Sequence, residues 1–249
     1  MKITSFFTQI LKRTTQTICD FVFPPQCPYC EKTIVREEML CTECFKKIPF
    51  ITGPKCYRCG CPLPFAESEE KLLCPKCLTS RSAYDLSRSV FEYDSFSRNA
   101  ILKLKYADRT DLRHFFVEYM CRAGIDLFDK ADIVLPVPLY WTRRLKRKYN
   151  QSAILAELIA KKMSLTYSPH ILYRKRATKA QAGQTKQERL KNVHSAFSIR
   201  NADKIKGKHV LLIDDVLTTG ATANACAKIL KENGAKAVYV LTIAQAIIK

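Results

Sequence analysis

The chain has 249 residues, 47% of them hydrophobic, which excludes a disordered chain and allows one large domain or two small ones. Its formal net charge is +19, and residues 141–191 alone hold 14 basic and two acidic side chains. A charge of this size and distribution favours polyanionic partners such as nucleic acid, phosphorylated ligands or an anionic membrane surface.

Residues 1–23 are predicted to form a short helix, because apolar residues recur at helical spacing before Pro24 and Pro25 end the pattern. We interpret it as a helix that packs on the protein itself. Association with a membrane surface is the alternative, although few basic residues flank the apolar side. The segment lacks the apolar run of a secretory signal, and no stretch reaches the roughly 18 apolar residues of a membrane span. We therefore expect a cytoplasmic protein without a transmembrane segment.

Residues 24–80 are predicted to form a cysteine-rich, zinc-ribbon-like module. Eight of the twelve cysteines occur as four Cys-x-x-Cys pairs, and two such turns complete a tetrahedral site of four thiolates. Two structural Zn²⁺ ions bound by consecutive pairs is the simplest arrangement, while a cross-braced exchange of pairs has the same spacing. The predicted metal ligands are Cys27, Cys30, Cys41 and Cys44 at one site and Cys56, Cys59, Cys74 and Cys77 at the other.

Cys61 complicates the second site, because it follows Cys59 and Gly60 and can substitute for Cys59. Disulfides would need an oxidising compartment, which the expected location does not provide. Redox-active pairs and an iron–sulfur cluster are alternatives, and the tandem arrangement of four pairs argues against redox activity. The other cysteines are interpreted as packing residues: Cys19, Cys121 and Cys226.

Residues 81–249 are predicted to form an α/β domain with a parallel sheet, because strand patterns alternate with helical ones. The polar residues 107–111 interrupt the first helical stretch. The predicted strands lie within residues 86–94, 131–139, 207–215 and 237–245, and the predicted helices within residues 97–125, 150–164 and 222–234.

The stretch VLLIDDVLTTGAT, residues 210–222, places two acids at the end of a buried strand. Ligands of parallel sheets bind at the carboxyl ends of strands, where Asp214 and Asp215 stand. The loop then leads into a helix near Ala221, whose first N–H groups attract an anion, and Gly220 permits close approach. Hydroxyl donors come from Thr218, Thr219 and Thr222. This combination predicts a sugar phosphate, with phosphate in the loop and sugar hydroxyls on the acids.

Two other interpretations of these acids are less consistent with the sequence. A Walker B strand requires a partner loop of the pattern G-x-x-x-x-G-K-[ST], which the sequence lacks. An ordinary solvated turn leaves two adjacent acids at a buried strand end unexplained.

Residues 210–222 resemble, at every position, the phosphoribosyl pyrophosphate (PRPP) signature of type I phosphoribosyltransferases. The resemblance implies that Asp214 and Asp215 contact the ribose hydroxyls. It implies that Mg²⁺ is held mainly by the pyrophosphate and hydroxyls of the ligand, in line with the preference of Mg²⁺ for oxygen and water. The implied cradle of the 5-phosphate is Thr218, Thr219, Gly220, Ala221 and Thr222.

The chain as a whole is similar to the ComF family of competence proteins, over PPQCPYC with the later cysteine pairs, LKYADRTDL, DIVLPVPLYWTRRLKRKYNQS and RKRATKAQAGQTKQERLKNVHSAF. The resemblance implies a parallel-sheet, type I phosphoribosyltransferase-like domain behind the zinc module. It also implies a pyrophosphate loop whose backbone amides and Arg143 face the ligand. That loop opens at Val137, Pro138 and Leu139.

The same resemblance implies a mobile loop over the ligand between residues 174 and 192. Arg176, Gln181 and Arg189 contribute to it, and Arg176 joins Asp214 and Asp215 as catalytic candidates if the chain is an enzyme. One departure concerns Lys148, which replaces the glycine of the family's Arg-Gly-Phe-Asn-Gln. A close backbone approach at that position is therefore in question, although the lysine adds a cation.

Residues 141–151, WTRRLKRKYNQ, mix cations with aromatic rings, and residues 173–176 repeat the pattern with Tyr173. This mixture suits single-stranded nucleic acid, because cations track phosphates while rings stack on bases. Pyrophosphate binding by the same cations and a solvated basic face are the alternatives. The candidate nucleic-acid contacts are Trp141, Arg143, Arg144, Lys146, Arg147, Lys148 and Tyr149.

The ComF resemblance implies an accessory role in natural transformation. The favoured hypothesis is a cytoplasmic protein that binds PRPP with Mg²⁺ and single-stranded DNA, beside a competence helicase. The first alternative is an active phosphoribosyltransferase that transfers the phosphoribosyl group of PRPP to an unidentified acceptor. The second is a structural zinc adaptor, which leaves Asp214 and Asp215 unexplained.

Overall fold

The computed structural model describes residues 24–27, 29–35, 39–65, 71–106, 112–139, 149–175 and 196–247. The chain divides into two compact units, Met1–Ile48 and Pro49–Lys249. The helix predicted over residues 1–23 lies outside the described residues and stays a prediction. The second cysteine group belongs to the same unit as the sheet, and the boundary expected near residue 80 also stays a prediction.

The predicted alternation of strands and helices is confirmed. The helices are α1 (Thr42–Lys47), α2 (Pro75–Thr79), α3 (Ser95–Tyr106), α4 (Leu112–Ala123), α5 (Ile125–Phe128), α6 (Gln151–Lys162) and α7 (Ala221–Glu232). The strands are β1 (Leu86–Glu92), β2 (Ile133–Pro136), β3 (Thr166–Tyr167), β4 (Leu172–Arg174), β5 (Phe197–Ile199), β6 (His209–Leu217) and β7 (Ala237–Gln245). Helix α1 belongs to the first unit and every other element to the second.

Five parallel strands form the sheet of the second unit, in the order β1-β7-β6-β2-β3. The central strands β6 and β7 have nine residues each and are buried over most of their length. On one face of the sheet, Val210 and Leu212 share a core cluster with Cys226 and Leu230 of α7. Helix α6 packs against β2, β3 and β6, and α4 packs against β1 and β7. Burial on both faces explains why these strands are continuous apolar runs.

Strand β6 continues to Leu217, beyond the end that its apolar run predicts at Asp214 and Asp215. The reason is its neighbour β7, which pairs with β6 as far as Leu217 and Gln245. Strand β2, on the other side, has its last partner at Ile213. Asp214 therefore lies at the carboxyl end of the sheet, one residue past the last residue of β6 that pairs with β2. This position, where β6 keeps β7 as a neighbour but has lost β2, is called the open edge of the sheet below.

The short strands β4 and β5 form an antiparallel pair that the sequence pattern did not predict, since runs of three residues carry no recognisable period. They flank the chain segment in which the mobile loop is predicted. Among the described residues, no helix combines the length and the apolar character needed to cross a membrane.

Candidate functional site

Asp214 is held by two hydrogen bonds at the open edge of the sheet. Ser152 Oγ donates to Asp214 Oδ1 at 3.0 Å, and the backbone N–H of Asp215 donates to the same oxygen at 2.9 Å. Ser152 is buried in the first turn of α6. The carboxylate of Asp214 is therefore oriented by the protein before any ligand binds. Ser152 did not emerge from the sequence analysis, although it lies in the NQS of the ComF-like segment.

The loop after β6 has the form that an anion site requires. Thr218 and Thr219 are exposed, and Gly220 is the N-cap of α7 with a φ of 79°. This left-handed conformation costs glycine little and turns the chain so that the first N–H groups of α7 face the loop. A cavity of about 40 Å³ lies there, and its lining includes Asp214, Thr218, Thr219, Gly220, Ala221 and Thr222. The predicted phosphate cradle and the first acid thus share one small cavity.

The loop is supported by residues that precede β1. The backbone N–H of Ala83 donates to Asn224 Oδ1 in the first turn of α7, at 2.6 Å. Tyr84 is buried, and its hydroxyl oxygen lies 3.6 Å from the place that a Cβ on Gly220 would occupy. Burial raises the pKa of Tyr84, so its hydroxyl stays protonated. Neither contact was predicted, because the partners lie some 140 residues apart in sequence.

The start of the predicted pyrophosphate loop is tied to both β6 and α6. The Val137 N–H donates to the Ile213 carbonyl at 2.9 Å, which continues the pairing of β2 with β6. Asn150 Nδ2 donates to the Val137 carbonyl at 3.3 Å, while Asn150 Oδ1 accepts from the Ser152 N–H at 3.1 Å. Asn150 therefore caps α6 and also holds the two ends of this loop together.

A cavity of about 480 Å³ lies beside the predicted pyrophosphate loop. Tyr149 is held there by a 2.9 Å hydrogen bond from its hydroxyl to the Leu104 carbonyl. The Arg200 guanidinium carbon lies 4.6 Å from the centroid of the Tyr173 ring, a cation–π contact. The lining of the cavity includes Pro138, Leu139, Tyr149, Tyr173, Arg174 and Arg200. The cavity therefore combines aromatic rings with cations, and Arg200 adds a cation that the sequence analysis did not single out.

Several candidate residues lie outside the described residues and stay predictions. They form two sets, one between β2 and α6 in the sequence and the other between β4 and β5. The first set is Trp141, Arg143, Arg144, Lys146, Arg147 and Lys148, and the second is Arg176, Gln181 and Arg189.

The first cysteine group has the geometry of a zinc site. The Sγ atoms of Cys27, Cys30, Cys41 and Cys44 all lie within 4.8 Å of one another, and Cys30 Sγ lies 3.4 Å from Cys41 Sγ. A tetrahedral ion with Zn–S bonds of 2.3 Å requires about 3.8 Å between sulfurs, so the group fits zinc. The Cys44 N–H donates to Cys41 Sγ at 3.5 Å and lowers the pKa of Cys41 to about 7, which favours the thiolate that binds metal.

The second cysteine group holds five thiols. The Sγ atoms of Cys56, Cys59, Cys61 and Cys74 lie within 4.8 Å of one another. Cys59 Sγ lies 3.6 Å from Cys74 Sγ, and the Cys74 N–H donates to Cys56 Sγ at 3.3 Å. Cys77 is buried in the same cluster, and its predicted role as a ligand stays a prediction. This group fits zinc as well.

Two of the cysteines interpreted as packing residues are described, and both are buried. Burial raises the pKa of Cys121 to about 11. Burial also raises the pKa of Cys226 well above its usual value, and the negative charge of Asp214 adds to the effect. Both thiols therefore stay protonated, as packing residues do. Cys19 lies outside the described residues.

Two family models match the chain. Residues 18–78 match the double zinc ribbon domain, and residues 150–248 match the phosphoribosyl transferase domain. The first match includes both cysteine groups. The second includes β6, the phosphate loop and α7.

Three curated relatives are similar over most of their lengths. Competence protein F of Haemophilus influenzae is 26% identical over 228 residues, which cover 89% of this chain and 97% of that protein. Competence protein ComFC of Bacillus subtilis is 29% identical over 205 residues, 80% of each chain. DNA utilization protein YhgH of Escherichia coli is 27% identical over 190 residues, 74% of this chain and 81% of that protein.

Solved structures overlap with the chain only in part. The allosteric regulatory enzyme of purine biosynthesis aligns with a TM-score of 0.39 and 19% identity over 57% of this chain and 30% of that one. Adenine phosphoribosyltransferase from Saccharomyces cerevisiae aligns with a TM-score of 0.37 and 13% identity over 57% of this chain and 72% of that one. The fold is assigned by the strand order and the family match. The chain therefore carries a double zinc ribbon domain followed by a phosphoribosyl transferase domain, and its homologues include competence proteins F and ComFC, which is the combination predicted from its motifs.

Proposed function

We propose that this protein binds PRPP with Mg²⁺ at the open edge of its sheet and assists DNA uptake by binding incoming single-stranded DNA in the cytoplasm, beside a competence helicase. The proposal rests above all on one observation. Asp214, oriented by Ser152, lines the same cavity as the loop that enters α7 at Gly220. The names of the curated relatives, two competence proteins and a DNA utilization protein, support the role in DNA uptake.

Each part of PRPP has a suitable partner. Asp214 and Asp215 are acceptors for the ribose hydroxyls, in charge-assisted hydrogen bonds. The threonine hydroxyls and the first N–H groups of α7 are donors for the 5-phosphate, which the positive end of the helix dipole also attracts. The loop that begins at Val137 takes the pyrophosphate, whose negative charge Mg²⁺ partly neutralises when it is bound.

Single-stranded DNA has a suitable surface beside this site. Tyr149 and Tyr173 line the larger cavity with Arg174 and Arg200, and the contact between Arg200 and Tyr173 pairs a cation with a ring. Rings and cations in this arrangement suit bases and phosphates of a single strand. The basic residues of segment 141–151 follow β2 and precede α6 in the sequence, and they supply further cations for this role.

The PRPP site is tested by calorimetric titration of PRPP and Mg²⁺ into the zinc-loaded full chain. We expect binding in the unaltered protein and none in the Asp214→Asn/Asp215→Asn variant. The matched control is Asp129→Asn/Asp203→Asn, which makes the same change in net charge at two exposed acids elsewhere. Binding that survives in the first variant, or that the control also abolishes, would refute this site.

The DNA interaction is tested by fluorescence anisotropy of a labelled thymidine oligonucleotide at increasing salt. Because phosphate contacts release counterions, we expect affinity to fall steeply with salt and with loss of Arg143, Arg144 and Arg147. The control removes three exposed lysines elsewhere, Lys204, Lys206 and Lys208. An affinity that changes little between low and moderate salt, or that falls equally in both triple variants, would contradict a DNA site at the basic segment.

An active phosphoribosyltransferase is the second candidate, favoured by the oriented Asp214 carboxylate. In such an enzyme the protein contributes orientation and electrostatic stabilisation while pyrophosphate leaves the anomeric carbon. Pyrophosphate release that requires an added acceptor and both acids would assign this activity. A zinc-loaded protein that binds neither PRPP nor DNA would instead support the structural zinc adaptor.

A further inference from the structure

We propose that a second cavity, between the second cysteine group and the start of β1, binds the phosphate and the base of a nucleotide. The cavity has a volume of about 280 Å³ and lies wholly within the second unit. Its lining shares no residue with the cavity at the phosphate loop, so the inference does not rest on the proposed PRPP site. The residues that line it are Tyr57, Arg58, Lys71, Leu73, Arg81 and Tyr84, together with Asp85.

The positive charge of this cavity is not balanced by the protein. Its cations come from three separate segments of the chain: Arg58, Lys71 and Arg81. The carboxylate of Asp85 already has other partners, because its Oδ1 accepts from Lys231 Nζ and its Oδ2 from the Val238 N–H, each at 2.8 Å. Among the described residues, none of the three lining cations forms an ion pair with a carboxylate. Three converging cations without a counter-ion favour an anionic ligand.

Two of the cations are oriented before any ligand binds. Arg58 Nη1 donates to the Cys77 carbonyl at 2.8 Å, which leaves the Nε and Nη2 groups of Arg58 without a partner in the described part of the chain. Lys71 Nζ lies 5.0 Å from the centroid of the Tyr57 ring, a cation–π contact. The Tyr57 N–H donates to the Leu72 carbonyl at 2.8 Å and joins the two segments. A phosphate is the anion that such a set of guanidinium and ammonium groups binds best.

The remaining walls of the cavity are aromatic or apolar. They are formed by Tyr57 and Leu73, which are half-buried, and by Tyr84, which is buried. A free inorganic anion needs no such wall, whereas the base of a nucleotide packs on rings while cations hold its phosphate. The volume is near the lower limit of about 300 Å³ for small-molecule pockets, which suits a single nucleotide better than a larger ligand.

The site is tested by photolabelling the zinc-loaded full chain with 8-azidoadenosine 5′-monophosphate, followed by digestion and mass spectrometry. We expect the label in peptides that contain Tyr57, Leu73 or Tyr84. Label found only in the peptide of the phosphate loop, residues 214–224, would overturn the proposal. Asp214→Asn/Asp215→Asn should leave labelling of the cavity unchanged, so failure of the proposed PRPP site would not affect this result.

Matched double variants test the role of the cations. Lys71→Gln/Arg81→Gln removes two exposed cations that form no side-chain hydrogen bond among the described residues. We expect it to raise the nucleotide concentration for half-maximal labelling about tenfold, since two charge-assisted contacts are lost at an exposed position. Arg98→Gln/Lys161→Gln removes one arginine and one lysine at exposed positions elsewhere and should change nothing. Equal labelling in the two double variants would overturn the proposal.

Competition against the photolabel identifies the source of the nucleotide. We expect adenosine 5′-monophosphate to protect the cavity at a far lower concentration than inorganic phosphate does. Inorganic phosphate that protects equally well would overturn the proposal, because the base would then contribute nothing. Stronger protection by a thymidine oligonucleotide than by the mononucleotide would assign the site to a nucleotide within a single strand. Protection by the mononucleotide alone would assign it to a free nucleotide.

Discussion

Ser152 Oγ donates a 3.0 Å hydrogen bond to Asp214 Oδ1, and this contact joins the first turn of α6 to the open edge of β6 across 62 residues of sequence. Ser152 is 2% exposed, so water does not compete for its hydroxyl. Asp214 is partly exposed and faces the phosphate loop. The geometry of the first acid of the site therefore depends on a helix that begins at the end of the predicted pyrophosphate loop.

Replacing Ser152 by alanine is expected to weaken PRPP binding. A hydrogen bond to a charged group is worth about 1.5–3 kcal/mol when shielded, and the partial exposure of Asp214 reduces this to about 1 kcal/mol, roughly fivefold in Kd. Calorimetric titration with Mg²⁺ present measures the change. Ser89→Ala is the control, because Ser89 is also buried and its hydroxyl lies 2.7 Å from that of Thr242, between β1 and β7. Equal affinity in Ser152→Ala and the unaltered protein would refute a role for this contact.

Gly220→Ala is expected to weaken PRPP binding, in addition to the loss of stability that alanine causes at a left-handed backbone position. An alanine at a φ of 79° costs about 1–2 kcal/mol, and its Cβ would lie 3.4 Å from Asn224 Nδ2. Gly207→Ala is the matched control, because its φ is 72° and a Cβ there meets no atom within 4 Å. We expect similar losses of thermal stability in both variants but a weaker affinity for PRPP only in Gly220→Ala. A loss of affinity shared by both would show that the loop itself is not involved.

The sequence predicts those parts of the site that depend on local pattern. The apolar run before Asp214, and Gly220 ahead of a helical period, each carry a recognisable signal. The contacts that support Asp214 and Gly220 carry no such signal. Ser152 reaches Asp214, and Ala83 reaches Asn224, from distant parts of the chain, so only the folded sheet brings them together.

The end of strand β6 and the membership of the second cysteine group could not be predicted for the same reason: both depend on residues that only the fold brings close. The continuation of β6 to Leu217 depends on the length of the neighbouring β7, which a single-strand pattern does not contain. The spacing of the cysteines showed that Cys61 is an alternative ligand. Cys61 lies close to Cys56 because the Gly60 N–H donates to the Cys56 carbonyl and the Cys56 N–H donates to the Cys61 carbonyl. Spacing alone does not predict this turn.

Gly60→Ala is expected to disrupt the second cysteine group. A Cβ on Gly60 would lie 2.6 Å from the Ser87 carbonyl oxygen in β1, so backbone has to move, and the φ of 66° adds strain. We expect a loss of more than about 2 kcal/mol in stability and weaker retention of one zinc ion against a chelator. Gly53→Ala provides the comparison, since its φ is 76° and a Cβ there has no atom within 4 Å. The prediction fails if both variants release zinc at the same chelator concentration.

Arg88 connects the second cysteine group to the helical layer within the second unit. Its side chain is 5% exposed and forms two hydrogen bonds with Asp126 of α5, from Nε at 3.2 Å and from Nη2 at 2.6 Å. Its Nη1 also donates to the Tyr57 carbonyl at 3.0 Å, inside the Cys56–Cys61 turn. The buried guanidinium of Arg88 therefore connects β1, α5 and the turn of residues 56–61, which is called the metal-binding turn below.

Asp126→Asn keeps the shape of that contact but leaves the Arg88 charge buried without its counter-ion. Breaking a fully buried ion pair costs about 3–5 kcal/mol, and because Asp126 is 35% exposed we expect about 1–3 kcal/mol here. Urea unfolding of the zinc-loaded protein measures this loss.

Glu232→Gln is the control, since Glu232 pairs with Lys228 at 3.9 Å on an exposed helix face and its substitution should cost less than about 0.5 kcal/mol. Because Arg88 also holds the Tyr57 carbonyl, the Asp126 variant should release one zinc ion to a chelator more readily than the control does. Equal stability and equal zinc release in the two variants would show that the Arg88–Asp126 pair does not stabilise the metal-binding turn.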